Sequence, residues 1–208
     1  MGSRERRERE KELRREHILD TARDLLCRKG INAVTMNQIA RNAELSVGTL
    51  YLYFTNREDL YAALQEEGLD LLHTMMKKAV SGTAGPEQKL TNVALAYLEF
   101  SQERRTYYEI FNYFLTAPDV VFPPHIKERV DEHGNRILSL VEKVLKQVLP
   151  GKPDAKALRR ASLVLWSTIH GMLQFRKLQS TVLKGEDFRG LYLHAASQTL
   201  KGLMQEEG

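Results

Sequence analysis

Apolar positions recur at helical spacing along almost the whole chain, and no stretch keeps the two-residue alternation of a half-buried strand. From Leu13 onward, Ile18, Ala22, Leu25 and Leu26 form one stripe that stops at Gly30, a natural C-terminal signal. Two short helices follow. Ile39, Ala40 and Ala43 mark the first, with Thr35 placed to cap it; Val47, Leu50 and Phe54 fall on one face of the second, capped by Ser46. Thr55 and Glu58 have the spacing of a capping box for the next helix, and its apolar positions run from Leu60 to Met76 before the break at SGTAGP. That is a single helix of about six turns, a rigid connector able to carry a tilt out of the N-terminal region. The remaining helices are expected over Glu87 to Glu103, Arg105 to Thr116, His125 to Leu149, Ala155 to Leu178 and Asp187 to Met204, separated by the loops APDVVFPPH, PGKPD and KGED. The pattern predicts an all-α protein.

The stretch TMNQIARNAELSVGTLYLYFTNREDL, Thr35 to Leu60, carries the most specific chemistry. Opposite the apolar stripe of its second short helix lie small or hydrogen-bonding groups: Gly48 lets a phosphate or thymine methyl approach the backbone, and Thr49, Tyr51 and Tyr53 each carry a hydroxyl. Such a helix buries little and suits a DNA groove. The run IARNAELSVGTLYLYFTNREDL resembles the helix-turn-helix of the TetR family of one-component transcriptional regulators. The shared pattern is an Ala-rich scaffold helix, Ser-x-Gly-Thr-Leu-Tyr, an aromatic-Phe pair and a basic residue opening the next helix. The resemblance spans Leu13 to about Leu64. Two positions depart from the pattern. Glu44 stands in the turn where the family prefers Gly, at a cost of about 1 kcal/mol if its backbone is left-handed. Tyr53 replaces the commoner His, so its phosphate contact would come from a phenol and not depend on pH near neutrality.

The dense Arg and Glu mark a charged arm over 1–12; the resemblance implies a three-helix DNA-binding domain over 13–60 and a larger helical domain over 61–208 for ligand binding and dimerisation. It also implies a homodimer that meets a palindromic double-stranded DNA operator, its half-sites about one helical turn, 34–36 Å, apart or a multiple of it. On this reading the protein is a repressor released by a small molecule. Thr35, Ser46, Tyr51, Tyr53 and Arg57 are the expected phosphate clamps, and Val47, Gly48, Thr49 and Leu52 the expected contacts to base edges or methyls.

Composition changes this picture little. The 208 residues are 42% hydrophobic and 28% charged, as in an ordinary globular protein. No stretch approaches the ~20 apolar residues that cross a bilayer, and no apolar segment follows the basic N-terminus as in a secretory signal. A single cysteine excludes an intramolecular disulfide and fits a reducing cytoplasm; Cys27 reads as a small packing residue. The net charge of +4 is spread along the chain, yet Arg23, Arg28, Lys29, Arg41 and Arg57 face only Asp24 and Glu44 between residues 23 and 57. The Arg/Glu-rich arm up to about Lys11 reads either as a solvated, frayed helix or disordered arm, or as an arm reaching the minor groove.

Two features stand out in the C-terminal part. Tyr97, Phe100, Tyr107, Tyr108, Phe111, Tyr113 and Phe114 carry many phenols for a dry core; they are core and half-exposed rings, or a cavity for an apolar or aromatic effector with a polar end. The segment ASLVLWSTIHGMLQFRKLQ places Trp166 and His170 four residues apart beside Gly171, where His170 meets a ligand, a core partner or a packing interface. The candidate effector set is Tyr97, Phe100, Tyr107, Phe111, Phe114, Trp166 and His170. This segment and the last helix have apolar faces too extensive for one monomer surface, and the resemblance implies that they pair with their copies in a four-helix dimer interface.

Catalysis finds no support in the motifs. Ser167 and His170 share a helix face without an orienting acid or oxyanion hole, and His125, Glu128 and Glu132 sit on a helix charged all round. No cofactor or metal is called for. The alternative functional readings are a DNA-binding regulator controlled by a protein partner or by its own concentration and, more remotely, an enzyme with an accessory DNA-binding motif.

Overall fold

The computed structural model describes residues 2–116 and 124–205. Among them the chain forms nine α-helices and no strand: α1 (Ser3–Lys29), α2 (Met36–Asn42), α3 (Val47–Tyr51), α4 (Arg57–Ala79), α5 (Pro86–Glu103), α6 (Arg105–Thr116), α7 (Pro124–Leu145), α8 (Ala155–Phe175), extended by a 3-10 turn over Arg176–Leu178, and α9 (Phe188–Gln205). The boundaries follow the apolar periodicity to within a few residues, apart from the N-terminal extension of α1. Most of the expected APDVVFPPH loop and the side chain of His125 lie outside the described residues. No described helix is long and apolar enough to cross a membrane.

The helices group into two compact units. The first comprises residues 1–68 and 104–131, the second residues 69–103 and 132–208, so α4 and α7 each contribute to both. In the first unit α1, α2, α3 and the start of α4 close around Ile18, Ala22, Leu26, Ile39, Ala40, Leu50, Phe54 and Leu60, with Ile110 of α6 completing the cluster. Ala40 is fully buried, as a close helix crossing requires. Gly68 of α4 has the same purpose against α6, since a Cβ there would lie 2.8 Å from the Tyr107 Cβ.

Local signals set the ends of these helices. Thr35 and Gln38 form a reciprocal capping box on α2. Ser46 Oγ accepts from the Thr49 amide and caps α3. The cap of α4 is one residue later than the sequence spacing suggests: Asn56 Oδ1 accepts from the Asp59 amide at 2.7 Å, and Asp59, not Glu58, reaches back to Thr55. The shorter Asp side chain closes that loop over four residues, leaving Glu58 to approach Arg57 at 3.4 Å.

Two other residues sit differently from their sequence reading. Val47 shares the helical spacing of Leu50 and Phe54 but is 38% exposed, because it stands in the first turn of a five-residue helix whose buried face begins at Leu50. Cys27 is exposed rather than packed, for it lies on the side of α1 away from Ile18, Ala22 and Leu25.

In the second unit α5, α8 and α9 bury Leu90, Val93, Tyr97, Leu165, Ile169, Leu173, Tyr192 and Leu200. The Tyr192 hydroxyl is fully enclosed and donates to the Ala94 carbonyl at 2.8 Å, which removes the cost of burying a phenol. Asp154 caps α8 through the Ala157 amide.

Candidate DNA-binding surface and interior polar cluster

The turn between α2 and α3 contains the one described non-glycine residue with positive φ, Glu44 at 56°. This is the left-handed backbone expected from the departure at that position, and it swings the chain so that Ala40 and Leu50 meet in the core. α3 consequently presents its other side outward. Leu52 is 80% exposed, Tyr51 47% and Val47 38%, and Gly48 and Ser46 are exposed beside them. Leaving such apolar area in water forfeits burial worth about 1.5–3 kcal/mol for a leucine. The exposed Leu, Val and Tyr on one corner of the folded core make this the candidate interaction surface.

The other sequence candidates divide by role. Ser46 and Thr49 hydroxyls lie 2.8 Å apart, and Thr35 is exposed with its hydroxyl on the Gln38 amide. Tyr53 is half-buried against the core cluster. Arg57 is held from inside: its Nη2 donates to the Tyr113 hydroxyl at 2.9 Å, and its guanidinium stands 5.6 Å from the ring centres of both Tyr61 and Tyr113. Burial opposes the Arg57 charge, but Tyr113, Tyr61 and Glu58 outweigh it and raise its pKa. Burial likewise pushes the Tyr61 phenol up to about 12, where it donates to the Ile31 carbonyl.

A second network in this unit joins α1, α4 and α6. Arg23 donates to Glu67 at 2.7 Å and to Asp20 at 2.6 Å, and the Tyr107 hydroxyl donates to the same Glu67 oxygen at 3.0 Å. Burial, followed by the Glu67 charge, pushes the Tyr107 phenol up to about 12, so the hydroxyl keeps its proton. The sequence reading missed Glu67 because 40 and 44 residues separate it from Tyr107 and Arg23.

The seven candidate effector residues are shared between the units. Tyr107, Phe111 and Phe114 of α6 belong to the first; Tyr97, Phe100, Trp166 and His170 belong to the second. In the second unit three of them touch. The Tyr97 hydroxyl lies 2.8 Å from His170 Nδ1, Trp166 Nε1 donates to the Tyr97 oxygen at 3.5 Å, and the Trp166 and His170 rings are 5.8 Å apart. Gln174 approaches the other imidazole nitrogen at 3.4 Å. Burial lowers the His170 pKa, so near neutral pH the ring is uncharged, with one nitrogen accepting and the other donating. Phe100 is 2% exposed and packs as core.

A helix-turn-helix with an outward apolar-hydroxyl face, built on α1, together with an all-helical second unit, matches known proteins over most of the chain. The family model described as bacterial regulatory proteins, tetR family, matches residues 18–64, and that described as tetracyclin repressor-like, C-terminal domain, matches residues 90–187. This chain belongs to the TetR family of transcriptional regulators. The regulator HbdR of Aromatoleum sp. (strain CIB) is 30% identical over 86 residues, 41% of this chain and 38% of HbdR. The transcriptional repressor KstR2 of Mycobacterium tuberculosis is 30% identical over 86 residues, 41% of this chain and 43% of KstR2. The chain thus spans less than half the length of these two curated relatives. Its fold is also that of the transcriptional regulator FadR from Bacillus subtilis in complex with stearoyl-CoA, with a TM-score of 0.65 and 18% identity over 93% of this chain and 99% of that one. A TetR-family regulator carries a DNA-binding helix-turn-helix and is not of an enzyme class.

Proposed function

We propose that this TetR-family regulator is a cytoplasmic repressor that binds a palindromic operator as a homodimer and leaves it when a small molecule binds. The observation that carries the DNA reading is the outward face of α3, where Leu52 is 80% exposed beside Val47, Gly48 and Tyr51. Val47, Gly48, Thr49 and Leu52 meet base edges and thymine methyls, while Thr35, Ser46, Tyr51 and Tyr53 meet phosphates. Only Thr49 among the four base-facing residues has a polar side chain, so sequence-dependent DNA shape carries much of the specificity. Arg57, in the first turn of α4, meets a phosphate as well: one N–H is on Tyr113, and the side chain remains 36% exposed. The DNA-binding domain covers residues 13–60 and the regulatory domain 61–208.

The dimer forms through α8 and α9. Leu163 and Val164 are each 40% exposed on α8 in a shallow surface depression of about 530 Å³ lined also by Trp166, Ser167 and the basic Lys156, Arg159 and Arg160, and Phe175 on the same helix is 50% exposed. A Cβ on Gly171 would meet nothing, leaving room for a second helix to approach. The effector is apolar or aromatic with one polar end, which the Tyr97, Trp166 and His170 cluster receives. The stearoyl-CoA of the FadR relative has that character. Coupling of about 1–3 kcal/mol between the sites lowers operator affinity some 5- to 150-fold.

Native mass spectrometry of the purified protein tests this, with and without a duplex that the protein has itself selected from random DNA. The expected result is a dimer that binds a palindrome and loses any co-purified ligand on the duplex. A monomer selecting no sequence sinks the reading.

A further inference from the structure

α1 begins at Ser3, so some four turns of helix precede Ile18, its first buried residue. The sequence of this extension looks like indiscriminate Arg and Glu, but the helix sorts it. At 100° per residue, Arg4, Arg7, Lys11, Arg14 and Arg15 fall within about 100° of arc. Glu5, Glu8, Glu12 and Glu16 line the neighbouring edge, and Arg6, Arg9 and Glu10 occupy the back.

The direction of the basic stripe is set by the rest of the helix. Arg4, Lys11, Ile18 and Leu25 are spaced by seven, and Ile18 and Leu25 are buried against the helix-turn-helix. The stripe is therefore a prolongation of the face that packs on the helix-turn-helix, carried beyond the end of its core. The last body contact on that face is Arg15, whose guanidinium lies 5.3 Å from the Phe54 ring centre, three residues after α3 ends. The extension thus leaves the first unit beside the recognition helix. Its residues from Arg4 to Arg14 other than the unburied Leu13 are charged and exposed. Among the described residues, Arg6 pairs with Glu10 and Arg15 with Glu12, while Arg4, Arg7, Lys11 and Arg14 form no salt bridge.

We propose that this stripe is a second DNA-contacting surface, which lies along the phosphates flanking the half-site read by α3. The inference rests on the DNA-binding reading above. Charge complementarity selects the partner: four cations that form no salt bridge among the described residues lie on one face, with Glu5, Glu8, Glu12 and Glu16 turned to the side, and fit a polyanionic backbone. The thirteen residues from Ser3 to Arg15 span about 20 Å, or roughly six base pairs at 3.4 Å each.

The test compares two double variants of the full chain that each lose two positive charges: Arg7→Gln with Lys11→Gln on the stripe, and Arg6→Gln with Arg9→Gln on the back. Both are titrated by fluorescence anisotropy against the duplex selected by the wild-type protein, over a salt series. The expected result is a loss of roughly tenfold for the stripe variant and a salt slope smaller by about 1–2, with the back variant like wild type. On a duplex trimmed to the half-sites, the stripe variant and wild type converge. Equal losses for both variants, or none for either, overturn the proposal. Failure of the α3 reading is told apart by Tyr51→Ala: if that variant also binds as tightly as wild type, the recognition surface itself is misplaced.

Discussion

Arg57 Nη2 donates a 2.9 Å hydrogen bond to the Tyr113 hydroxyl, fastening the first turn of α4 to α6 within the first unit. The guanidinium also stands over the Tyr113 and Tyr61 rings, so three contacts converge on one side chain. Tyr113→Phe removes only the acceptor. It should cost about 0.5–1.5 kcal/mol in urea denaturation, toward the lower end because Arg57 retains access to water. Arg57→Ala should cost more, since it also removes the ring contacts. A double-mutant cycle with no coupling between the two would show that the bond contributes nothing.

Gly48 separates folding from recognition. A Cβ added there meets only Ser46 Oγ, at 3.9 Å, so the free protein has room for it. Gly48→Ala should leave thermal stability unchanged or slightly raised while, on the DNA-binding reading proposed above, weakening operator binding by tenfold or more, because the methyl would stand where DNA is proposed to approach the backbone. Unchanged operator affinity would remove Gly48 from the contact surface.

Glu44 carries strain that a single change relieves. Its φ of 56° suits glycine, and Glu44→Gly should stabilise the protein by at most about 0.6 kcal/mol, the relief of about 1 kcal/mol being offset by about 0.4–1 kcal/mol for the greater freedom of glycine in the unfolded chain. Thermal denaturation of the pair reads this directly; a destabilised variant would mean that the turn derives support from the Glu44 side chain.

His170 makes the second unit sensitive to acid. Burial lowers its folded pKa below the ordinary 6.5. As pH falls through 6.5 the unfolded chain takes up a proton before the folded one does, so stability rises with pH in that window. The contribution is complete above about pH 6.5 and is lost as pH drops toward the depressed folded value. His73 is shifted in the same direction, so the measurement is a difference between proteins. His170→Gln should flatten part of the decline in stability below pH 6.5; an unchanged slope would mean that His170 titrates normally.

Helix positions and the helix-turn-helix were legible in the sequence because their causes are local. Apolar spacing, the Thr35 and Ser46 caps and the Gly30 stop act within a turn or two of the residues they organise. The left-handed turn at Glu44 was legible for the same reason. Local spacing left open which side of a short helix is buried, so Val47 joined Leu50 and Phe54 by period yet faces solvent, and Cys27 read as packing yet is exposed. Tertiary structure alone decided the pairings that bridge the chain: Arg57 with Tyr113, 56 residues apart, and Tyr97 with His170, 73 apart. Those depend on where whole helices pack, and packing is set by the shape of many side chains at once rather than by any residue's neighbours in sequence.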